Sequence, residues 1–164
     1  MTELEDVSQH PAILEEIRRR SAHSILLVQS RFPIAHYTCL MHVMAFAGSK
    51  EYQAIASRGL NVVFAGSEFA HWLIERGDIT EISSMSSSER KMVFYFADNR
   101  FKHAALFKKG HRLVSKWGRG HLYEHEVWEV PKTYGGSIRI FERLTYDKAL
   151  SQFIRFAKDK GMLL

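Results

Sequence analysis

The chain has 164 residues, 46% of them apolar and 12% aromatic, which fits one globular domain over 1–164 and excludes a disordered or collagen-like chain. Its single cysteine, Cys39, excludes an internal disulfide and a cysteine-rich metal site. The net charge of +5 comes from 23 basic and 18 acidic residues, but the basic ones are dispersed apart from short groups such as Arg18-Arg19-Arg20, so nucleic acid is not the expected partner.

The first half reads as helical. Pro11 suits a first helical turn, Ile13, Leu14 and Ile17 make an apolar stripe, and the arginine triplet sits where the helix dipole favours cations. The run SILLVQ at 24–29 is short and apolar, equally a strand or a helix. Thr38 is an N-cap for a helix from Cys39 to about Ala47, closed by Gly48. A second stretch, 49–59, ends at Gly59; Ser67 caps a third, EFAHWLIER, ended by Gly77. A serine-rich stretch at 82–90 follows.

The period then changes to that of strands. KMVFYF (91–96), KHAALF (102–107), HRLVSKW (111–117), HLYEHEVWEV (121–130) and SIRIFE (137–142) are separated by turn-rich segments. Thr145 caps a last helix whose Tyr146, Ala149, Leu150, Phe153 and Ala157 recur at helical spacing up to Gly161. The expected fold is α+β, helices packed on one antiparallel sheet.

Cys39 stands at the start of its helix, where free N–H groups and the dipole lower a thiol pKa and can bind an oxyanion. A free cysteine also serves as a small buried hydrophobe. A nucleophilic cysteine needs a base. His36 and His42 flank it, and His103, opening the HAALF strand, is the better placed of the nine histidines because a strand holds the ring rigidly. A three-residue Lys108-Lys109-Gly110 loop would pair Phe107 with His111 and set His103 opposite Ser115, which then holds the imidazole tautomer. His121 and His125 share a strand face and a zinc site there would need a third ligand, His103 or His111; the expected outcome is an exposed, polar strand face without a metal. Trp117, Tyr123, Trp128 and Tyr134 either wall a substrate groove or pack the sheet. Tyr37 is close enough in sequence to Cys39 to offer its hydroxyl to an oxyanion.

A cysteine at a helix start, a histidine opening a strand and a polar residue in the next strand resemble the NlpC-type peptidases of the papain-like fold. The stretch KHAALFKKGHRLVSKWG is similar to their histidine hairpin, and SKWGRGHLYEH followed by EVPKTYG to its continuation. The resemblance spans roughly 35–142. It departs from the family at YTCLMH, where members usually read Asp-Cys-Ser-Gly, and at Ser115, where His, Asn or Gln is usual. It implies a papain-like domain with Cys39 as nucleophile, His103 as base and Ser115 as orienting residue, acting without a cofactor. The implied substrate is a peptide or peptidoglycan-like amide, with Tyr37, Trp117 and His121 lining the groove. An inactive binding module of the same fold and a thiol acyltransferase are the alternatives. No run approaches the roughly 18–20 apolar residues of a membrane span, and MTELEDVSQH has no signal pattern. The default compartment is cytoplasmic; a cell-wall substrate would require non-Sec export or phage-linked delivery.

Overall fold

Helical segments enter first because the chain from residue 10 carries apolar residues at helical spacing with capping residues ahead of them. The computed structural model describes residues 7–20, 22–57, 64–83 and 90–161. The first helix, α1 (His10–Arg20), has its three arginines in the last turn; of its apolar stripe Leu14 is buried and Ile17 is exposed. The ambiguous 24–29 run forms a strand, β1 (Leu26–Val28). Helix α2 (Cys39–Val43) begins as expected, with the Thr38 hydroxyl accepting the Met41 N–H at 3.2 Å. It ends four residues early. Ala45 turns left-handed (φ 59°) and the Phe46 N–H donates to the Met41 carbonyl at 2.8 Å. That turn points Phe46 into the core, stacked on Tyr52 at 4.6 Å between ring centroids.

Ser49 caps α3 (Lys50–Ala56) through the Tyr52 N–H; the expected closing residue, Gly59, lies outside the described residues. In α4 (Ser67–Glu75) Ser67 is the first helical residue rather than the cap; Gly66 occupies the cap position with extended backbone. Most of the serine-rich stretch, 84–89, also lies outside the described residues.

Six strands form one antiparallel sheet. β2 (Lys91–Ala97) and β3 (Arg100–Phe107) are central, followed by β4 (Leu113–Lys116), β5 (Leu122–His125) and β6 (Ser137–Glu142). Their order across the sheet is β1-β5-β4-β3-β2-β6, so β1, early in the chain, pairs with β5. The expected long strand 121–130 is only β5, since the chain turns away after His125. Thr145 caps α5 (Tyr146–Asp159), and Gly161 follows it at φ 70°.

Alternation gives the sheet two buried faces. Met92, Phe94, Phe96, Ala104 and Phe141 face helices α2–α5 and join Leu40, Phe46, Phe69, Phe153 and Phe156 in one core. Val93, Tyr95, Ala105, Phe107, Leu113, Tyr123 and Ile140 face the other way, under Leu14 of α1 and Tyr134 of a short 3₁₀ turn at Lys132–Tyr134. The α+β expectation of helices on an antiparallel sheet therefore stands, with α1 and the 127–134 segment covering a second face.

The β3–β4 hairpin differs from expectation. Phe107 pairs with Leu113, not His111, across the five residues 108–112. Gly110 and His111 are both left-handed (φ 70° and 63°). The Arg112 guanidinium is drawn away to Glu124 (3.3 Å) and to the Ser24 carbonyl (2.6 Å) and hydroxyl. The register thus moves by two residues and Ser115 pairs with Ala105, not with His103. A shift of two leaves every side chain on its intended face, so the hydrophobic pattern does not resist it.

Phe153 is fully buried and contacts the rings of Phe46, Tyr52, Phe69 and Phe156. Phe153→Ala removes the residue that ties α5 to α3 and α4. The expected loss is about 3–5 kcal/mol, read as a lower urea midpoint with an unchanged slope.

Candidate functional site

A cleft of about 450 Å³ opens at the end of the sheet where β3 begins and β4 finishes. Its walls come from the approach to α2 (His36, Tyr37, Thr38 and Cys39), from the start of β3 (Lys102 and His103), from the turn after β4 (Gly118 and Arg119), and from Phe64 and Tyr134. Cys39, His103 and Tyr37 therefore border one space. Ser115, Trp117 and His121 are not among the residues lining it.

Cys39 is held by the start of α2, and its side chain packs against the helix-side core. Backbone N–H groups of Ala104, Leu40 and Cys39 itself favour the thiolate, as does the charge of Lys116. Burial outweighs them and pushes the thiol up to about 11. The depressed thiol expected from a helix start is therefore not seen: removal from water costs the anion more than the first turn returns.

His103 reaches the cleft from the other face. A bulge shifts the β2–β3 register between Tyr95 and Phe96, pairing Tyr95 with His103. The imidazole lies flat on the Tyr134 ring, centroids 4.0 Å apart and planes 10° from parallel. Gly135 makes this stack possible. Its φ of 99° lets the chain pass against β2, and a Cβ there would lie 2.0 Å from the Phe96 carbonyl oxygen. His103 is 1% exposed, and its Nε2 has no hydrogen-bond partner. Burial first, and then the neighbouring His125 and His42, hold its pKa well below the usual imidazole range.

The polar residue expected to orient His103 has another partner. Ser115 Oγ lies 2.7 Å from His125 Nε2. His125 Nδ1 lies 2.7 Å from the Glu126 carbonyl, which only accepts, so Nδ1 carries the proton and Nε2 accepts from the Ser115 hydroxyl. Trp117 Nε1 donates to Ser115 Oγ at 2.9 Å. A directed chain thus runs from the indole through the hydroxyl to the imidazole and ends on a carbonyl. Burial pushes the His125 pKa down to about 4. Trp117 serves this chain and packs on Tyr123 at 4.3 Å, so it is a core residue rather than a groove wall. The expected shared face of His121 and His125 is not a ligand pair, since His125 is committed to Ser115 and Glu126. Among the described residues no group of three or more His, Cys, Asp or Glu is placed to hold a metal.

The Tyr37 hydroxyl sits 2.6 Å from Ser30 Oγ, away from any free oxyanion role, and burial raises its pKa. The structure adds Lys116, which the sequence reading passed over. It is fully buried, donates to the Gly118 and Gly120 carbonyls at 2.9 Å each, and lies 5.1 Å above the Tyr37 ring. Its signal was a lysine at the core-facing parity of β4, two residues after Val114.

Three histidines, His42, His103 and His125, have folded pKa values depressed by burial, the first and last to about 4. Their unfolded values lie near 6.5. Below that pH the unfolded chain binds more protons, so stability is level above pH ~6.5 and falls as pH drops towards ~4, by up to roughly 1.4 kcal/mol per pH unit per histidine. Urea midpoints across that range should show this slope, and His125→Gln should make it shallower; a flat profile would exclude the three neutral rings. Searches of protein-family models, curated proteins and solved structures find no significant match to this chain.

Proposed function

We propose that the protein is a thiol hydrolase with a papain-like, NlpC-like site, cleaving an amide bond through Cys39 and His103. One observation carries the reading: these two residues, distant in sequence, border a single cleft, and the imidazole presents a buried nitrogen that no protein group occupies. A free imidazole nitrogen is a group that can take up the thiol proton during attack.

The resting pair is neutral. Burial holds Cys39 as the thiol and His103 as the free base. His103 then takes the proton as the sulfur attacks the carbonyl carbon, and returns it to the departing amine. Water hydrolyses the resulting thioester, with His103 again accepting a proton. The N–H of Met41 is occupied by Thr38, leaving the Cys39 and Leu40 N–H groups facing the sulfur side of the site. The Ser115–His125 chain lies behind His103 and acts on it electrostatically.

The cleft presents Lys102, Arg119 and His36, without a carboxylate among its lining residues. That fits a substrate carrying negative charge beside its amide, as a peptide or a peptidoglycan stem peptide does. The raised Cys39 pKa also supports a second reading, a binding module with an inert thiol.

Purified protein incubated with isolated cell-wall sacculi, and separately with a peptide library, separates these readings. Release of new amino termini by the intact protein is expected, with none from Cys39→Ala and about 100-fold less from His103→Asn. Binding to either substrate without cleavage would replace the hydrolase by the binding module. Stable transfer of an acyl group to an added amine would make it an acyltransferase.

A further inference from the structure

On the helix-facing side of the sheet the register lines up apolar residues from four neighbouring strands. Leu106 of β3 packs against the helix-side core and pairs with Val114 of β4. Val114 pairs with Glu124, which puts Leu122, two residues before it, on the same face of β5; Leu122 in turn pairs with Val28 of β1. Neighbouring strands lie about 4.8 Å apart, so this row runs roughly 14 Å across the sheet. It floors a second cavity, of about 400 Å³. Helix α2 packs on β3 and β4 and contributes His42 to the wall, and residues 29–32 and Tyr37, ahead of that helix, supply another part. Tyr37 borders both cavities, whereas Cys39 borders only the first.

The wall is fixed from within. The Phe32 N–H donates to Ser30 Oγ at 3.1 Å, and that oxygen lies 2.6 Å from the Tyr37 hydroxyl. The Phe32 ring sits on Gly48, where a Cβ would collide with it. A cavity held in this way needs little ordering when a ligand enters.

The charges around it have one sign. Arg31, Lys108 and Arg143 line the cavity, and none of its lining residues is a carboxylate. Lys108 is taken by Glu124, at 2.7 Å. Arg31 and Arg143 are exposed, and their side chains have no hydrogen bond or ion pair among the described residues. Arg143 continues β6 two residues past Phe141, on the helix-facing side; Phe141 pairs with Met92, and Met92 with Leu106. Arg143 therefore belongs to the β3 end of the floor, as does His42, whose Nε2 is buried without a hydrogen-bond partner. Arg31 follows Val28 by three residues and belongs to the other end. Lost hydration lowers the Arg143 pKa, and no acidic group offsets it.

We infer that this cavity binds a free fatty-acid-type carboxylate, its chain laid along Leu106, Val114, Leu122 and Val28 and its head held by Arg143 beside His42. A guanidinium meets a carboxylate through two parallel hydrogen bonds, and a row of apolar side chains across four strands fits an unbranched tail. The inference goes beyond the hydrolase reading and does not depend on Cys39 reacting, since the ligand lies on the far side of Tyr37.

Calorimetric titration of the full chain with decanoate, below its micelle concentration, tests this. One molecule should bind per chain. Decanol should bind roughly tenfold more weakly for want of the charged head, and butyrate, six methylenes shorter, on the order of a thousandfold more weakly. Arg143→Gln, an exposed substitution, should weaken decanoate about tenfold and leave decanol unchanged. Arg31→Gln, at the tail end, should cost decanoate about twofold at most. The His42 ring resonances, assigned with His42→Gln, should shift along the same curve as the heat. Decanol binding as tightly as decanoate, an Arg143→Gln variant that binds decanoate unchanged, or binding that leaves the His42 resonances unmoved would overturn the inference. So would an acidic apolar peptide that binds where decanoate does not. None of these measurements needs turnover, so failure of the hydrolase reading leaves them standing.

Discussion

Burial of the β2–β3 pair on both faces is the constraint from which the rest follows. Residues 92–96 are buried without a break, so neither face can take up water and any polar group there must be satisfied within the protein. The helical layer of α2–α5 closes one side and α1 with the 127–134 segment closes the other. Polar side chains inside this sandwich therefore carry information. Ser115 and His125 satisfy one another, Lys116 satisfies two turn carbonyls, and the His103 Nε2, the His42 Nε2 and the Tyr123 hydroxyl are buried without a hydrogen-bond partner.

The same double burial decides the electrostatics. At a wet helix start a cysteine drifts towards thiolate and a histidine beside it towards imidazolium, giving a preformed ion pair. Here the low-dielectric surroundings disfavour both ions. The thiol therefore stays protonated near neutral pH, which spares a half-buried cysteine from casual oxidation.

Periodicity and capping made much of the architecture legible. Thr38, Ser49 and Thr145 cap helices as their residue types suggest, and SIRIFE forms β6 residue for residue. The failures share a cause: they were set by side chains distant in sequence. Arg112 bonding to Ser24 and Glu124 lengthened the hairpin loop and moved Ser115 away from His103. Phe46 turning into the aromatic core cut α2 short. Cys39 was legible as the first residue of a helix, whereas His103, expected to open its strand, is the fourth residue of β3, which begins at Arg100. The sign of the Cys39 shift was not legible, because it depends on what covers the thiol rather than on the helix that carries it. Lys116 was passed over for a related reason: a lysine in a strand reads as solvent-facing until parity with Val114 is taken seriously.

The strand order bears on how such a chain comes together during synthesis. Among the described residues β1 pairs with β5 alone, and β2 is paired on one side by β3 and on the other by β6. The hairpin of β2 and β3 can form early, but the N-terminal strand waits until most of the chain has left the ribosome. Non-local pairing of this kind slows folding and prolongs the life of partly assembled states. In those states β1, whose Leu26 and Leu27 remain about half exposed even in the finished fold, is an open strand edge. Its three-residue length keeps that edge from templating the pairing of other chains.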